Sequence, residues 1–236
     1  MRLFFFSALT LLLLIVTSPA NAQQTRRTFT QETNYLLALP EGYLQDTARR
    51  WPLVLFLHGS GEAGYDIDKV RSHGPPKLVD QGKKFPFILV SPQADPAFGW
   101  ETETLYHLLL TLRQKLRIDN ARIYITGLSM GGYGAWKMAM KYPELFAAVV
   151  PVCGGGNTDD LIRLRNTPVW VFHGAKDNVV PLSESQKMVN ALKKFNPNVK
   201  FTIYPDASHD SWTATYENDS LYKWMLSQHL QGSNRN

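Results

Sequence analysis

The run Ile125–Trp136, ITGLSMGGYGAW, sets Gly127, Ser129 and Gly131 at alternate positions, after an apolar stretch that reads as a strand and before one that reads as a helix. A turn that sharp brings flanking positions against neighbouring backbone, so Gly127 and Gly131 are read as the residues without a Cβ that allow it. Ser129 is then held in a strained conformation, with its hydroxyl exposed at the end of a sheet. The backbone N–H groups of the following helix point at the same spot. Gly132 and Gly134 are read as letting that helix pack closely on the sheet. The pattern G-x-S-x-G is weak alone and much stronger between a strand and a helix.

Working outward, six apolar runs read as strands: Trp51 to Leu57, Phe87 to Ser91, Arg122 to Thr126, Phe146 to Val152, Val169 to Phe172 and Lys200 to Tyr204. They lack strict alternation, as strands covered on both faces do. The segment NYLLALP, ending at Pro40, is expected to add an antiparallel strand. Helical patterns lie between them at Thr104 to Leu116, Ser129 to Tyr142, Ser183 to Phe195 and Leu221 to Leu230. Strands alternating with helices predict an α/β fold, a mostly parallel twisted sheet with helices on both faces. Little chain separates Cys153 from the strand at Val169, so little or no cap is expected there. The segment Glu62 to Phe85 is a candidate pocket wall, and QGSNRN at the C-terminus reads as a frayed tail.

The chain has 236 residues and a net charge of +5, or +4 without the first 22, which carry only Arg2. Its lysines and arginines are scattered, and no basic stripe with interleaved aromatics occurs, so no nucleic-acid partner is expected. Arg2, the apolar run Leu3 to Val16 and Ala20-Asn21-Ala22 have the form of a secretory signal peptide cut after Ala22. The run is short for a bilayer span of ~20 residues. The expected organisation is thus a signal peptide over 1–22 and a single domain over 23–236, secreted or periplasmic, with no stable membrane insertion after cleavage. Cys153 is the one cysteine, so no internal disulfide is possible, and its apolar surroundings predict an inert buried thiol. No cysteine or histidine cluster stands at metal-ligand spacing, so no metal is expected.

A lone serine is a poor nucleophile and needs a base, which in turn needs an orienting carboxylate. Asp177, in HGAKDNVVP, and His209, in PDASHDSW, each follow a strand, where open α/β sheets place their sites. They stand 48 and then 32 residues beyond their predecessors in the order Ser129, Asp177, His209. Asp206 and Asp210 share the loop of His209 and read as solvated residues. Asp159 and Asp160 read as a helix cap. His58 and His173 read as loop-shaping residues, and His73, His107 and His229 as surface ones. The loop LHGSGEAG after the first long strand, with the residue after Ser129, supplies oxyanion donors: the backbone N–H groups of Met130 and Ser60, with Gly61 in reserve for the second. No G-K-[ST] follows, so the loop is not a phosphate cradle. Trp100 and Trp212 lie on loops at the same end and read as a wall for an acyl or aryl group, or as packing within their loops.

LHGSGEAG, GLSMGGYGAW, HGAKDNVVP and HDSW stand in the order found in the α/β-hydrolase superfamily, which the chain resembles over nearly all the length that follows the signal peptide. It is similar to the small secreted carboxylesterases related to feruloyl esterases, polyhydroxybutyrate depolymerases and phospholipase/carboxylesterases, a group with dienelactone-hydrolase-like members. Dienelactone hydrolase proper has a cysteine where this chain has Ser129. The resemblance implies hydrolysis of a small-molecule or polymer-linked ester through an acyl-enzyme on Ser129, without cofactor or metal. Two other readings stay open: a serine peptidase of the prolyl-oligopeptidase type, and an inactive binding protein on the same fold.

Overall fold

The computed structural model describes residues 32–230. The signal-peptide reading of residues 1–22 and the tail reading of 231–236 lie outside them. Seven strands form one sheet in the order β1-β3-β2-β4-β5-β6-β7. They are β1 (Tyr35–Ala38), β2 (Trp51–Leu57), β3 (Ile88–Pro92), β4 (Ile118–Leu128), β5 (Ala148–Val152), β6 (Val169–Gly174) and β7 (Val199–Tyr204). All neighbours pair in parallel except β1, which runs antiparallel to β3 as NYLLALP suggests. Among the described residues six α-helices accompany them: α1 (Gly74–Asp80), α2 (Thr102–Lys115), α3 (Met130–Lys141), α4 (Leu182–Leu192), α5 (Trp212–Glu217) and α6 (Asp219–Leu226).

Strand alternation sorts the core into two layers. Leu53, Leu55 and Leu57 of β2 join Ile123 and Ile125 of β4 against Leu105, Leu109, Trp136, Met138 and Met188 from α2, α3 and α4. Val54 and Phe56 turn the other way, with Tyr124, Val150 and Phe172, onto Tyr216, Leu221 and Met225 from α5 and α6. Burial of both faces at ~25 cal/mol per Å² is what drives the layering, and it accounts for the unbroken apolar runs.

Three elements depart from the sequence reading. β4 begins at Ile118, and its register with β2 shifts between Trp51 and Leu53. The extra residues are gathered by Asp119, which accepts from Ala121 N and Arg122 Nε. Helix α1 escapes the sequence reading because Pro75 and Pro76 look like breakers; they occupy its first positions, where a missing N–H costs nothing. Helix α5 has only six residues, too few for a periodicity to register. Between β5 and β6 the described chain holds only a 3-10 turn, Leu161–Leu164, and no cap. Asp160 stands at its N-cap position, but its side chain makes no capping bond.

The strand order reverses at β2, with β3 on one side and β4 on the other. The crevice at such a switch point is where α/β sheets bind ligands, and the loops after β2 and β4 meet there.

Candidate active site

Ser129 sits between β4 and α3 with φ 52° and ψ −118°, one of two non-glycine residues described with positive φ. Such a backbone costs ~1–3 kcal/mol and persists only where its surroundings enforce it. Its N–H donates to Val152 O at 3.0 Å, which ties the turn to β5. The flanking glycines are required by close approach. A Cβ on Gly127 would lie 2.3 Å from Gly131 O, and one on Gly131 would lie 2.0 Å from Leu57 O.

Three loops converge on the serine. His209, after β7, places Nε2 3.0 Å from Ser129 Oγ. Its Nδ1 lies 2.8 Å from Asp177 Oδ2, after β6. Asp177 Oδ1 accepts the N–H groups of Val179 and Val180, both at 2.9 Å. The Asp177 side chain is fully enclosed, whereas that of His209 is 19% exposed. Burial works to raise the Asp177 pKa, but His209 and the Val180 and Val179 N–H groups outweigh it and hold the carboxyl below its ordinary value. The sequence-read trio is thus assembled, and its rivals stand apart. Asp206 is exposed and pairs with Lys176, and Asp210 accepts from Thr213.

The loop after β2 turns into a 3-10 segment, Ser60–Glu62. It reaches the nucleophile: a Cβ on Gly59 would lie 3.7 Å from that of Ser129. Ser60 and Met130 each open a helical segment, so their N–H groups have no partner within it. Gly61 is the next residue of the same turn.

His58 shapes this loop rather than acting as a base. Its Nδ1–H donates to Gly59 O at 2.6 Å and its Nε2 accepts from Ala94 N at 3.0 Å. Burial pushes its pKa down to about 4, so the ring is neutral at pH 7. His173 is likewise held inside, by Ser185 Oγ and Val180 O. Sequence reasoning missed Glu62, a buried residue whose Oε2 accepts the Gly59 N–H at 2.9 Å. Gln93 adds a clamp by donating to Glu62 O and Asp66 O. The signal was present, since Glu62 stands three residues after Gly59 in the spacing of a capping box.

One aromatic expectation is decided. Trp100, read as a pocket wall or as loop packing, is only 7% exposed and belongs to the core. Its indole donates to His58 O at 3.1 Å and its ring packs where Gly134 leaves room. Trp212 stays at the site, in a T-shaped contact with His209 at 5.1 Å between centroids. His73, read as a surface residue and 37% exposed, also lies against Trp212, at 5.5 Å, with Nε2 3.6 Å from Glu62 Oε1. It therefore joins the base side of the site to the oxyanion loop.

A protein-family model for the dienelactone hydrolase family matches residues 101–223, which include Ser129, Asp177 and His209. "Probable feruloyl esterase C" of Aspergillus terreus is 26% identical over 174 residues, 69% of this chain and 61% of that one. A bifunctional acetylxylan esterase/xylanase of Neocallimastix patriciarum is 23% identical over 73% of this chain and 26% of its own length. Among solved structures, a thermostable esterase is 34% identical with a TM-score of 0.72, covering 83% of this chain and 59% of that one. The chain therefore spans about three fifths of the length of the first and third of these. No helix among the described residues is long and apolar enough to cross a membrane.

Proposed function

The chain belongs to the dienelactone hydrolase family, and from that premise we propose that it is a secreted serine carboxylesterase. The observation that carries this reading is the continuous relay from Ser129 Oγ through His209 to Asp177, at 3.0 and 2.8 Å. The Ser129 hydroxyl donates to Nε2, and Nδ1–H donates to the Asp177 carboxylate. Attack of Oγ on the ester carbonyl passes the serine proton to Nε2. The imidazolium so formed faces a carboxylate held in its charged form by its own surroundings. His209 then gives that proton to the leaving alcohol. The N–H groups of Met130 and Ser60 hold the oxyanion, and each such donor is worth ~10²–10³ in kcat. Water, deprotonated by the same His209, releases the acid and restores Ser129.

The substrate class proposed is an acyl or feruloyl ester of a carbohydrate. Two relatives carry feruloyl and acetylxylan esterase in their names, and the short β5–β6 connection leaves room for a bulky, polymer-linked alcohol. Secretion rests on the signal-peptide form of residues 1–22, which predicts a mature chain starting at Gln23. A fluorophosphonate probe tests the core of the reading: it should label wild type at Ser129 and leave Ser129→Ala unlabelled. An unlabelled but folded wild type would instead support an inactive scaffold. Methyl ferulate and acetylated xylan, assayed beside p-nitrophenyl esters of rising chain length, test the substrate class.

A further inference from the structure

The mechanism above uses Asp177 and His209 but leaves the third group beside them unexplained. Cys153 directly follows β5, is fully buried and has φ 40°. One ligating atom each of Cys153, Asp177 and His209 lies within 4.8 Å of the other two. The three come from the segments after β5, β6 and β7, so no local spacing announces them. A fourth polar group belongs to the cluster. The Ser211 hydroxyl faces the Cys153 sulfur. Ser211 is fully buried, yet its Oγ has no partner in hydrogen-bond geometry. A buried polar group left so costs ~1–3 kcal/mol.

We propose that this cluster is an inhibitory site for a thiophilic divalent cation, Zn²⁺ or Cd²⁺, bound by Cys153 Sγ, an Asp177 carboxylate oxygen and a His209 ring nitrogen. A sulfur, nitrogen and oxygen donor set suits a borderline-soft ion and disfavours magnesium or calcium. Zinc bonds are ~2.3 Å to sulfur and ~2.0–2.2 Å to nitrogen and oxygen. Ligand atoms around a tetrahedral ion then stand about 3.5 Å apart, so a pair at the 4.8 Å limit closes by about 1.3 Å.

The proton balance explains the inhibition. The cation displaces the Cys153 thiol proton to solvent as the Sγ–metal bond forms. His209 stays neutral. If Nδ1 takes the metal, the imidazole proton moves to Nε2, the nitrogen that faces Ser129 Oγ. A protonated Nε2 cannot accept the serine proton. If Nε2 takes the metal, its lone pair is spent. In both geometries the base is lost. The cation enters on the His209 side, which is the solvent-exposed member.

The inhibition rests on the esterase reading, but cation binding does not, and the experiment separates them. Cd²⁺ is titrated into the full chain as wild type, Ser129→Ala, Cys153→Ala and Ser129→Ala/Cys153→Ala, following thiolate-to-cadmium absorption, calorimetry and ester hydrolysis. One Cd²⁺ per chain with the absorption band is expected in wild type and in Ser129→Ala alike. Loss of the band and at least tenfold weaker binding are expected in both Cys153→Ala chains. Hydrolysis should be silenced by Cd²⁺ in wild type, restored by EDTA, and resistant in Cys153→Ala. No band in Ser129→Ala overturns the site, as does equal inhibition of wild type and Cys153→Ala. Should Cys153→Ala prove unstable, Cys153→Ser keeps the volume and replaces the soft donor, with the same outcomes expected.

Discussion

Replacing Asp177 by asparagine tests the relay at the point where the geometry dictates the answer. The carboxylate has two oxygens with unlike neighbours. Oδ1 accepts two backbone N–H groups, from Val179 and Val180, and Oδ2 faces His209 Nδ1. An amide has one oxygen and one NH₂. Turning the NH₂ toward Val179 and Val180 would set donors against donors and break both of these hydrogen bonds. The amide oxygen therefore keeps the Oδ1 place, and the NH₂ donates to His209 Nδ1. That nitrogen must then be the unprotonated one, so the ring proton sits on Nε2, against Ser129 Oγ. The base is disabled while every heavy atom stays in place. In serine proteases the same aspartate-to-asparagine change in a Ser-His-Asp triad lowers kcat by ~10⁴, or about 5.5 kcal/mol. The same fall in kcat on p-nitrophenyl acetate is expected here, with KM little changed and a melting temperature within a few degrees of wild type. Asp206→Asn and Asp210→Asn, which touch Lys176 and Thr213 instead, should stay within about twofold. More than a tenth of wild-type activity in Asp177→Asn would refute the argument. A melting temperature lowered by ten degrees or more would also refute it, since the loss would then be one of folding.

Gly131→Ala should abolish activity and lower the melting temperature by ~10 °C or more, because its Cβ lands 2.0 Å from Leu57 O, a backbone atom fixed in the sheet. A stable, active Gly131→Ala would show that the turn relaxes. Trp100→Ala should behave as a core deletion, costing ~3–5 kcal/mol and reducing hydrolysis of acetyl and feruloyl esters alike; a loss confined to feruloyl esters would return Trp100 to the pocket. Trp212→Ala, which removes the T-shaped contact with His209, should lower kcat about fivefold, or ~1 kcal/mol, and a kcat unchanged within twofold argues that the ring does not position the base. Two groups predict acid sensitivity of the same sign. His58 is neutral when folded, with its pKa lowered from 6.5 to about 4, so the unfolded chain binds more protons between those values and stability is lost as pH falls from 6.5 toward 4. Asp177, lowered when folded, contributes above the ordinary carboxylate pKa and loses that contribution as pH falls through its folded value. His58→Gln should lower the melting temperature at pH 7 but flatten its slope between pH 6.5 and 4; an unchanged slope would remove His58 from the account.

The sheet was legible because its strands are apolar on both faces and its helices carry one apolar stripe each. What failed to register were elements whose cause lies elsewhere in the molecule. Helix α1 begins Gly74-Pro75-Pro76, and its first residue is a glycine because a Cβ there would lie 2.6 Å from the Phe56 ring, a contact with β2 that no local pattern encodes. The bulge in β4 follows from Asp119 gathering its own neighbours.

The site divides along the same line. Ser129, Asp177 and His209 are legible because each needs a strand end and a loop, and both leave marks in sequence. Trp100 was left between two readings because a tryptophan on a site-facing loop reads the same whether its ring turns to solvent or to the core; the carbonyl of His58 and the space over Gly134 decide it. Glu62 and His73 are eleven residues apart and meet through a 3-10 turn, so neither position predicts the other. Cys153 shows the limit most sharply. Its apolar neighbours foretold burial, and it is buried, yet that burial sets it against the two residues on which the proposed chemistry turns. A strand that ends at the site delivers the residues that follow it there whatever their polarity, so the segments after β5, β6 and β7 have to be read together. Read that way, a cysteine directly after β5 is a candidate neighbour of the base before any coordinates are known.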